Sequence, residues 1–228
     1  MISFEKVYEI LINKRSAFAE GAWITIKLAF YTVLIGFVLG LIVAVCRKSK
    51  IFPLRWFMNA YVAFIRGTPL LVQVLLIVYG LPQLGLNHIG DYKFSKMDMC
   101  IIALGINSGA YMAEIIRAGL ESVDKGQTEA AESLGMNGFK KMIYVILPQA
   151  IKTILPTMGN EFVAIIKESS VLYSVGVYEL TYQANKLASV NFRYLETMLD
   201  AALIYFVLTY VATNLLKLLE RRMKRADR

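Results

Sequence analysis

A carboxylate set inside an apolar run can hold a charged solute, and this 228-residue sequence has several such positions. Asn160 and Glu161 follow Pro156 and Gly159 directly, with Lys167 and Glu168 beyond them. Asp200 stands near the start of another apolar run, and Glu114 near the end of a third. Ionised groups are costly at membrane depth, so residues of this kind mark a solute path by default. Two readings stay open for the first group: a substrate path through Asn160 and Glu161, or a structural Glu161–Lys167 pair. Two also stay open for Asp200. As a second carboxylate in the same cavity it would favour a cationic side chain; as an interfacial cap it would answer a helix N-terminus. Glu114 is a further candidate for substrate binding, and its three-residue spacing from Arg117 allows a pair on one helix surface. The chemistry on offer is recognition, because each charged group of a solute needs a partner once it leaves water. Bond-making is not on offer. The sequence has no G-x-x-x-x-G-K-[ST] loop, no Ser/His/Asp or Cys/His set, a single histidine (His88), and no cluster suited to a metal.

The elements that must position these residues are membrane helices. The chain is 57% hydrophobic, and several runs approach the ~20 apolar residues that cross a bilayer. A net charge of +8 is compatible with nucleic acid, but the basic residues flank the apolar runs, as membrane topology requires. Cys46 and Cys100 fall near opposite ends of different spans and should not pair. Five spans are expected: about 23–46, 54–81, 97–118, 148 onward, and 197–219. Arg47, Lys48 and Lys50 close the first on the cytoplasmic side, which puts the N-terminus outside. Arg221, Arg222, Lys224 and Arg225 hold the C-terminus inside. Ahead of the spans, residues 1–20 are amphipathic, with Phe4, Val7, Tyr8 and Leu11 on one face, lying in the interface or packing across other helices. The second span should break or kink at Gly67 and Pro69, with Arg66 toward the cytoplasmic half. In the third, Gly105, Gly109 and Ala113 form a small-residue stripe for close helix packing, with Asn107 and Ser108 as alternative channel-lining groups. The fourth should be interrupted at Pro156 and Gly159. Residues 82–95 and 168–194 are expected outside, the latter with re-entrant apolar stretches.

One mostly polar island separates the third and fourth spans. Asp124 and Gln127 have the spacing of an N-cap and its N3 partner, so a helix can start there. Glu129 to Leu134 suits a helix, and Gly135 sits where a left-handed cap would end it, followed by Met136. Asn137 can cap a second short helix carrying Phe139, Met142 and Ile143. Two short helices joined at a glycine form a rigid knob, which needs a groove in another protein.

The island resembles the EAA loop of bacterial ABC importer permeases. It has Glu129-Ala130-Ala131, then Gly135, then Val145-Ile146-Leu147-Pro148, with Val145 in place of the pattern's isoleucine. Three further blocks are similar to the polar amino-acid branch of that family: Arg66 through Gln73, Gly109 through Ile115, and Asn160-Glu161-Phe162 with Lys167-Glu168-Ser169-Ser170. The resemblance spans roughly residues 20–220. It implies an all-α membrane protein of the type I ABC importer permease fold, with five transmembrane helices and a cytoplasmic helix-turn-helix coupling loop at about 121–147. The permease domain would cover 21–220, between the amphipathic segment and a basic cytoplasmic tail at 221–228. The same resemblance implies a multi-pass protein of the bacterial cytoplasmic (inner) membrane. It further implies coupling to two ABC ATPase subunits through Glu129, Ala130, Ala131, Leu134, Gly135 and Met136, with delivery of an amino acid by an extracytoplasmic binding protein. ATP and magnesium would be bound by the ATPase partner, and no cofactor by this chain. Five helices are too few to enclose a solute path, so a second permease subunit, identical or sibling, is expected across a two-fold axis. Two other classes compete. A secondary amino-acid transporter would show internal repeats, which are not seen here. A non-transporting scaffold would need the knob but not the polar residues at 160–161.

Overall fold

The computed structural model describes residues 4–225; residues 1–3 and 226–228, the end of the basic tail, lie outside the described residues, as do the side chains of Phe4, Lys224 and Arg225. Helix α1 (Phe4–Asn13) leads into α2 (Arg15–Arg47), whose 33 residues make a rod of about 50 Å at 1.5 Å per residue. The helix therefore starts well before Trp23, and the span is part of a longer element than expected. Helix α1 packs against α11 (Tyr194–Arg225) through Val7 and Ile10, which are buried, whereas Tyr8 points outward. Of the expected face, Val7 is turned inward and Tyr8 is not, and Ile10 joins Val7 there.

Helix α3 (Phe52–Gly67) and α4 (Leu70–Leu75) form the second span, bent by 110° at the Gly67-Thr68-Pro69 break. Pro69 disfavours helical φ/ψ at Thr68, which is extended at φ −119°, ψ 148°. Helix α4 runs through a π-helical turn, Leu76–Gly80, into α5 (Leu81–Gln83). A second π-helical turn, Met142–Ile146, joins α8 (Gly138–Lys141) to α9 (Leu147–Glu168). Each π turn stands immediately before a Leu-Pro pair, Leu81-Pro82 or Leu147-Pro148. Proline lacks an N–H and its ring crowds the carbonyl four residues back, and a locally widened turn relieves both. The expected second short helix of the knob is therefore continuous with the fourth span.

Helix α6 (Lys96–Glu121) is the central element, opened by a capping box between Ser95 and Asp98. A two-stranded hairpin, β1 (His88–Ile89) and β2 (Tyr92–Lys93), precedes it, with His88 opposite Lys93. Helices α2 and α6 touch along reciprocal small-residue stripes. A Cβ on Gly105 would lie 2.7 Å from Ile35, and one on Gly40 would lie 2.4 Å from the Met112 Cβ. The Gly105–Gly109 stripe is thus a packing surface that receives Ile35 and Leu39 of α2, while Gly36 and Gly40 of α2 receive Ser108 and Met112.

Helix α9 runs straight through Pro156 and Gly159, so the expected interruption does not occur. Gly159 is a seat for α11, since a Cβ there would meet Leu216 at 2.3 Å. Thr157 donates its hydroxyl to the Thr153 carbonyl at 2.9 Å, one turn back along α9. A 3-10 segment, Ser169–Val175, and α10 (Leu180–Asn191) then fold back on the bundle, burying Leu172, Val175, Leu180 and Ala184. Counting the bent pair as one, the described residues hold five candidate membrane spans: α2, α3–α4, α6, Gly138–Val175 and α11.

Candidate substrate path and docking knob

The α3–α4 break leaves carbonyls without helical partners, and one glutamine answers them. The buried Gln73 amide donates to the Ile65 carbonyl at 2.8 Å, the Thr68 carbonyl at 3.1 Å and the Thr68 hydroxyl at 2.8 Å. Its oxygen accepts from Asn107 Nδ2 of α6 at 2.9 Å. One residue on, Ser108 turns to another neighbour and donates to Glu161 Oε1 of α9 at 3.2 Å. Thr68, Gln73, Asn107, Ser108 and Glu161 thus form a polar line through three spans in two bonded segments, Thr68–Gln73–Asn107 and Ser108–Glu161, which meet at consecutive residues of α6. Asn160, beside Glu161, is exposed. Glu161 has no ion pair with Lys167 among the described residues, so the structural-pair reading is set aside. Glu168, seven residues on, shares the Glu161 face of α9. It is exposed and forms no ion pair among the described residues, with Lys167 as its neighbouring cation.

The other acidic candidates stand elsewhere. Glu114 is six residues beyond Ser108 on α6, about 9 Å along the axis. It is ringed by cations: Arg47 bonds one oxygen, while Arg117 at 2.8 Å and Arg66 at 3.8 Å reach the other. Arg66 also lies 5.3 Å over the Tyr111 ring, and Arg117 reaches on to Glu121 at 2.5 Å. Asp200 is completely enclosed, and neither carboxylate oxygen has a hydrogen-bond partner. It lies two turns inside α11, which begins at Tyr194, so it is not a helix cap. Ile165 and Ile166 pack with Leu208 and Tyr205, which sets the antiparallel register of α9 and α11. That register places Asp200 about twelve residues above Glu161, ~18 Å at 1.5 Å per residue. The two carboxylates are not at one level. A third buried carboxyl, Glu179, caps α10 by accepting from the Thr181 and Tyr182 amides at 2.8 and 2.7 Å, and accepts from the Tyr205 hydroxyl at 2.7 Å. Burial pushes that carboxyl above its ordinary pKa while these donors pull it down.

The island forms the expected knob. Asp124 caps α7 (Lys125–Ser133), although its carboxylate accepts from the Gly126 amide, and Gln127 turns to Gln149 instead. Gly135 has φ +73°. Its N–H donates to the Glu132 carbonyl at 2.9 Å and that of Met136 to the Ala131 carbonyl at 3.1 Å, closing a Schellman cap. Asn137 accepts from the Lys140 amide at 2.9 Å and starts α8. Lys141 pairs with Glu132 across the turn. Ala131 faces inward, whereas Leu134 and Phe139 are 80% and 74% exposed. Two large apolar side chains are thus held out from a turn closed by backbone hydrogen bonds.

Residues 15–225 match the family of binding-protein-dependent transport system inner membrane components. The chain belongs to this family. An arginine transport system permease protein of Bacillus subtilis, ArtQ, is 38% identical over 208 residues, covering 91% of this chain and 93% of its own length. A putative glutamine transport system permease protein of Rickettsia typhi, GlnP, is 39% identical over 204 residues, with coverage of 90% and 91%. Among solved structures, an amino acid ABC transporter crystallised with histidines is similar at TM-score 0.88 and 44% identity, covering 97% of this chain and 99% of its own. The methionine transporter MetNI in an inward-facing conformation, at TM-score 0.76 and 18% identity over 92% and 98%, shares the fold.

The chain is therefore a permease subunit of an amino-acid ABC transporter, a membrane protein of the type I importer permease fold. In this permease the polar line depends on residues that the ionisable pattern does not pick out. Gln73 was visible as a lone amide in the apolar run Leu70 to Ile77, where an amide needs partners. Thr68 carried no signal beyond its place before Pro69.

Proposed function

We propose that this permease forms one half of the path for a cationic amino acid, the other half being a second permease subunit. The observation that carries the reading is the pair of carboxylates on one face of α9. Glu161 is half-buried against Ser108, and Glu168 stands one heptad further along, about 10 Å away by helix rise. Neither forms an ion pair among the described residues, although Lys167 stands close enough to Glu168 to act on it through charge. Glu161 receives the α-ammonium, with Asn160 beside it as neutral donor and acceptor, and Glu168 receives a basic side chain. Relatives named for arginine and for glutamine, and the transporter crystallised with histidines, support a polar substrate. Glu114 is already neutralised by arginines, and Asp200 is sealed away from the Glu161 level, so neither enters the site.

Transport follows by alternating access. The permease lies in the cytoplasmic membrane with its N-terminus outside and its knob and C-terminus inside. Two ATPase subunits, which bind ATP and magnesium, dock on the knobs, and an external binding protein delivers the substrate. Because the knob is continuous with α9 through α8 and the π turn, a push on it moves Glu161 directly. The two states differ in their contacts with substrate rather than in any chemistry of this chain. Uptake of arginine and glutamine, with binding protein saturating, tests the assignment. Glu161→Gln should impair both, Glu168→Gln should reduce arginine uptake relative to glutamine, and Asp200→Asn should leave the ratio unchanged. Normal uptake of both in Glu161→Gln would place the site elsewhere.

A further inference from the structure

A cavity of about 750 Å³ opens between α2, α6 and α9. Its walls are Leu41 and Val45 of α2, Leu120 of α6, and Ile151 and Leu155 of α9. Leu41, Val45, Ile151 and Leu155 are between 38% and 64% exposed, so the groove is open along its length. Its lining on the α2 side extends from Phe37 to Lys48, the residue that follows α2, eleven positions further on, or about 16 Å. That is half of the ~30 Å hydrocarbon thickness, the depth of one leaflet.

The end of the groove is not apolar. At Lys48 it joins a second hollow of about 210 Å³, which shares Ala44, Lys48 and Leu120 and adds Arg47, Asn59, Arg117 and Glu121. Arg47 and Arg117 are engaged with Glu114, and Arg117 also with Glu121. Lys48 is exposed and carries no ion pair among the described residues. Arg47, Lys48 and Arg117 thus face Glu114 and Glu121, which leaves an excess of positive charge at this end of the groove. A leaflet-deep apolar slot ending at an unpaired lysine is complementary to one kind of molecule: a lipid with two acyl chains and an anionic headgroup.

We infer that this groove is a binding site for an anionic phospholipid, its acyl chains lying between α2 and α9 and its phosphate on Lys48. The slot lies beside the junction of the π turn with α9, since Met142 and Leu147 also line it. A lipid seated there braces the segment that joins the knob to the fourth span.

The full-length protein, purified in mild detergent and stripped of lipid, is titrated with phosphatidylglycerol or phosphatidylcholine and read by native mass spectrometry. Wild type should retain phosphatidylglycerol preferentially. Lys48→Gln should lower its occupancy constant roughly fivefold, as expected for one charge near a membrane surface. Leu155→Trp, which fills the slot at an exposed position, should lower retention of both lipids. Equal retention of the two lipids by wild type, or unchanged retention in both variants, would overturn the site. In vesicles of phosphatidylglycerol carrying a diazirine in the acyl chain, photo-crosslinks should map to Leu41 and Leu155. A crosslink from a photoreactive residue at Leu41 to a second permease chain would instead make the groove a subunit seam and refute the lipid site.

Discussion

Gly135 offers the sharpest test of how the knob is built. A Cβ at this position would meet nothing within 4 Å, so any cost of substitution is conformational, not steric. Its φ of +73° costs an L-residue about 1–2 kcal/mol, with asparagine below that range and a β-branched residue above it. If the backbone instead leaves the left-handed region, the Gly135–Glu132 and Met136–Ala131 bonds are lost, at about 0.5–1.5 kcal/mol each. Either route costs ~1–3 kcal/mol, a factor of roughly 5 to 150 in the population of the ordered turn. Helix α7 has nine residues, fewer than the ~12–15 at which an isolated helix becomes even marginal. The loss therefore appears as fraying of the knob rather than global unfolding. The series Gly135→Asn, Gly135→Ala and Gly135→Val is measured by ATP-driven uptake in proteoliposomes and by amide exchange at residues 133–136. Exchange should accelerate and uptake fall in that order, with expression unchanged. Wild-type uptake in Gly135→Val would show that the knob is not the coupling element. A Gly135→Asn variant as damaged as Gly135→Val would show that φ is not the reason glycine is there.

Two further outcomes follow from the same structure. Gln73→Leu strands the Asn107 amide and the Thr68 and Ile65 carbonyls, at about 1–3 kcal/mol for each buried group left unpaired; the detergent-purified permease should melt at lower temperature and lose uptake, and an unchanged melting temperature would remove Gln73 from the polar line. For orientation, cysteines placed at Asn87 and Ser189 in a background lacking Cys46 and Cys100 should react with an impermeant reagent from outside, and one at Asn137 only from inside; external labelling at Asn137 would invert the proposed topology.

The sequence alone determined the features that depend on near neighbours. Gly135 is left-handed and Asn137 caps a helix because turn and cap geometry involve residues within five or six positions. The five spans were legible because hydropathy is a property of a contiguous run. The Gly105–Gly109 stripe announced a close packing face, since spacing puts both on one side of a helix. The amphipathic face of α1 was placed one side chain off, because Tyr8 and Ile10 are nearly interchangeable until α11 is present.

Tertiary structure decided what each polar residue meets. Ser108 and Glu161 are 53 positions apart, and Arg47 and Glu114 are 67. No local pattern encodes such pairings. Glu114 shows only its neighbour Arg117 as a partner in the sequence, and in the fold Arg47 and Arg66 join it from other helices. Asp200 reads in the sequence as either a cavity carboxylate or an interfacial cap; in the fold it is wholly enclosed, and α11 starts two turns earlier, so it caps nothing. Pro156 and Gly159 read as a break, yet α9 stays whole because Leu216 of α11 packs into the space that Gly159 leaves. A helix breaker lowers only the local preference for helix, and the contacts of a neighbouring span outweigh it.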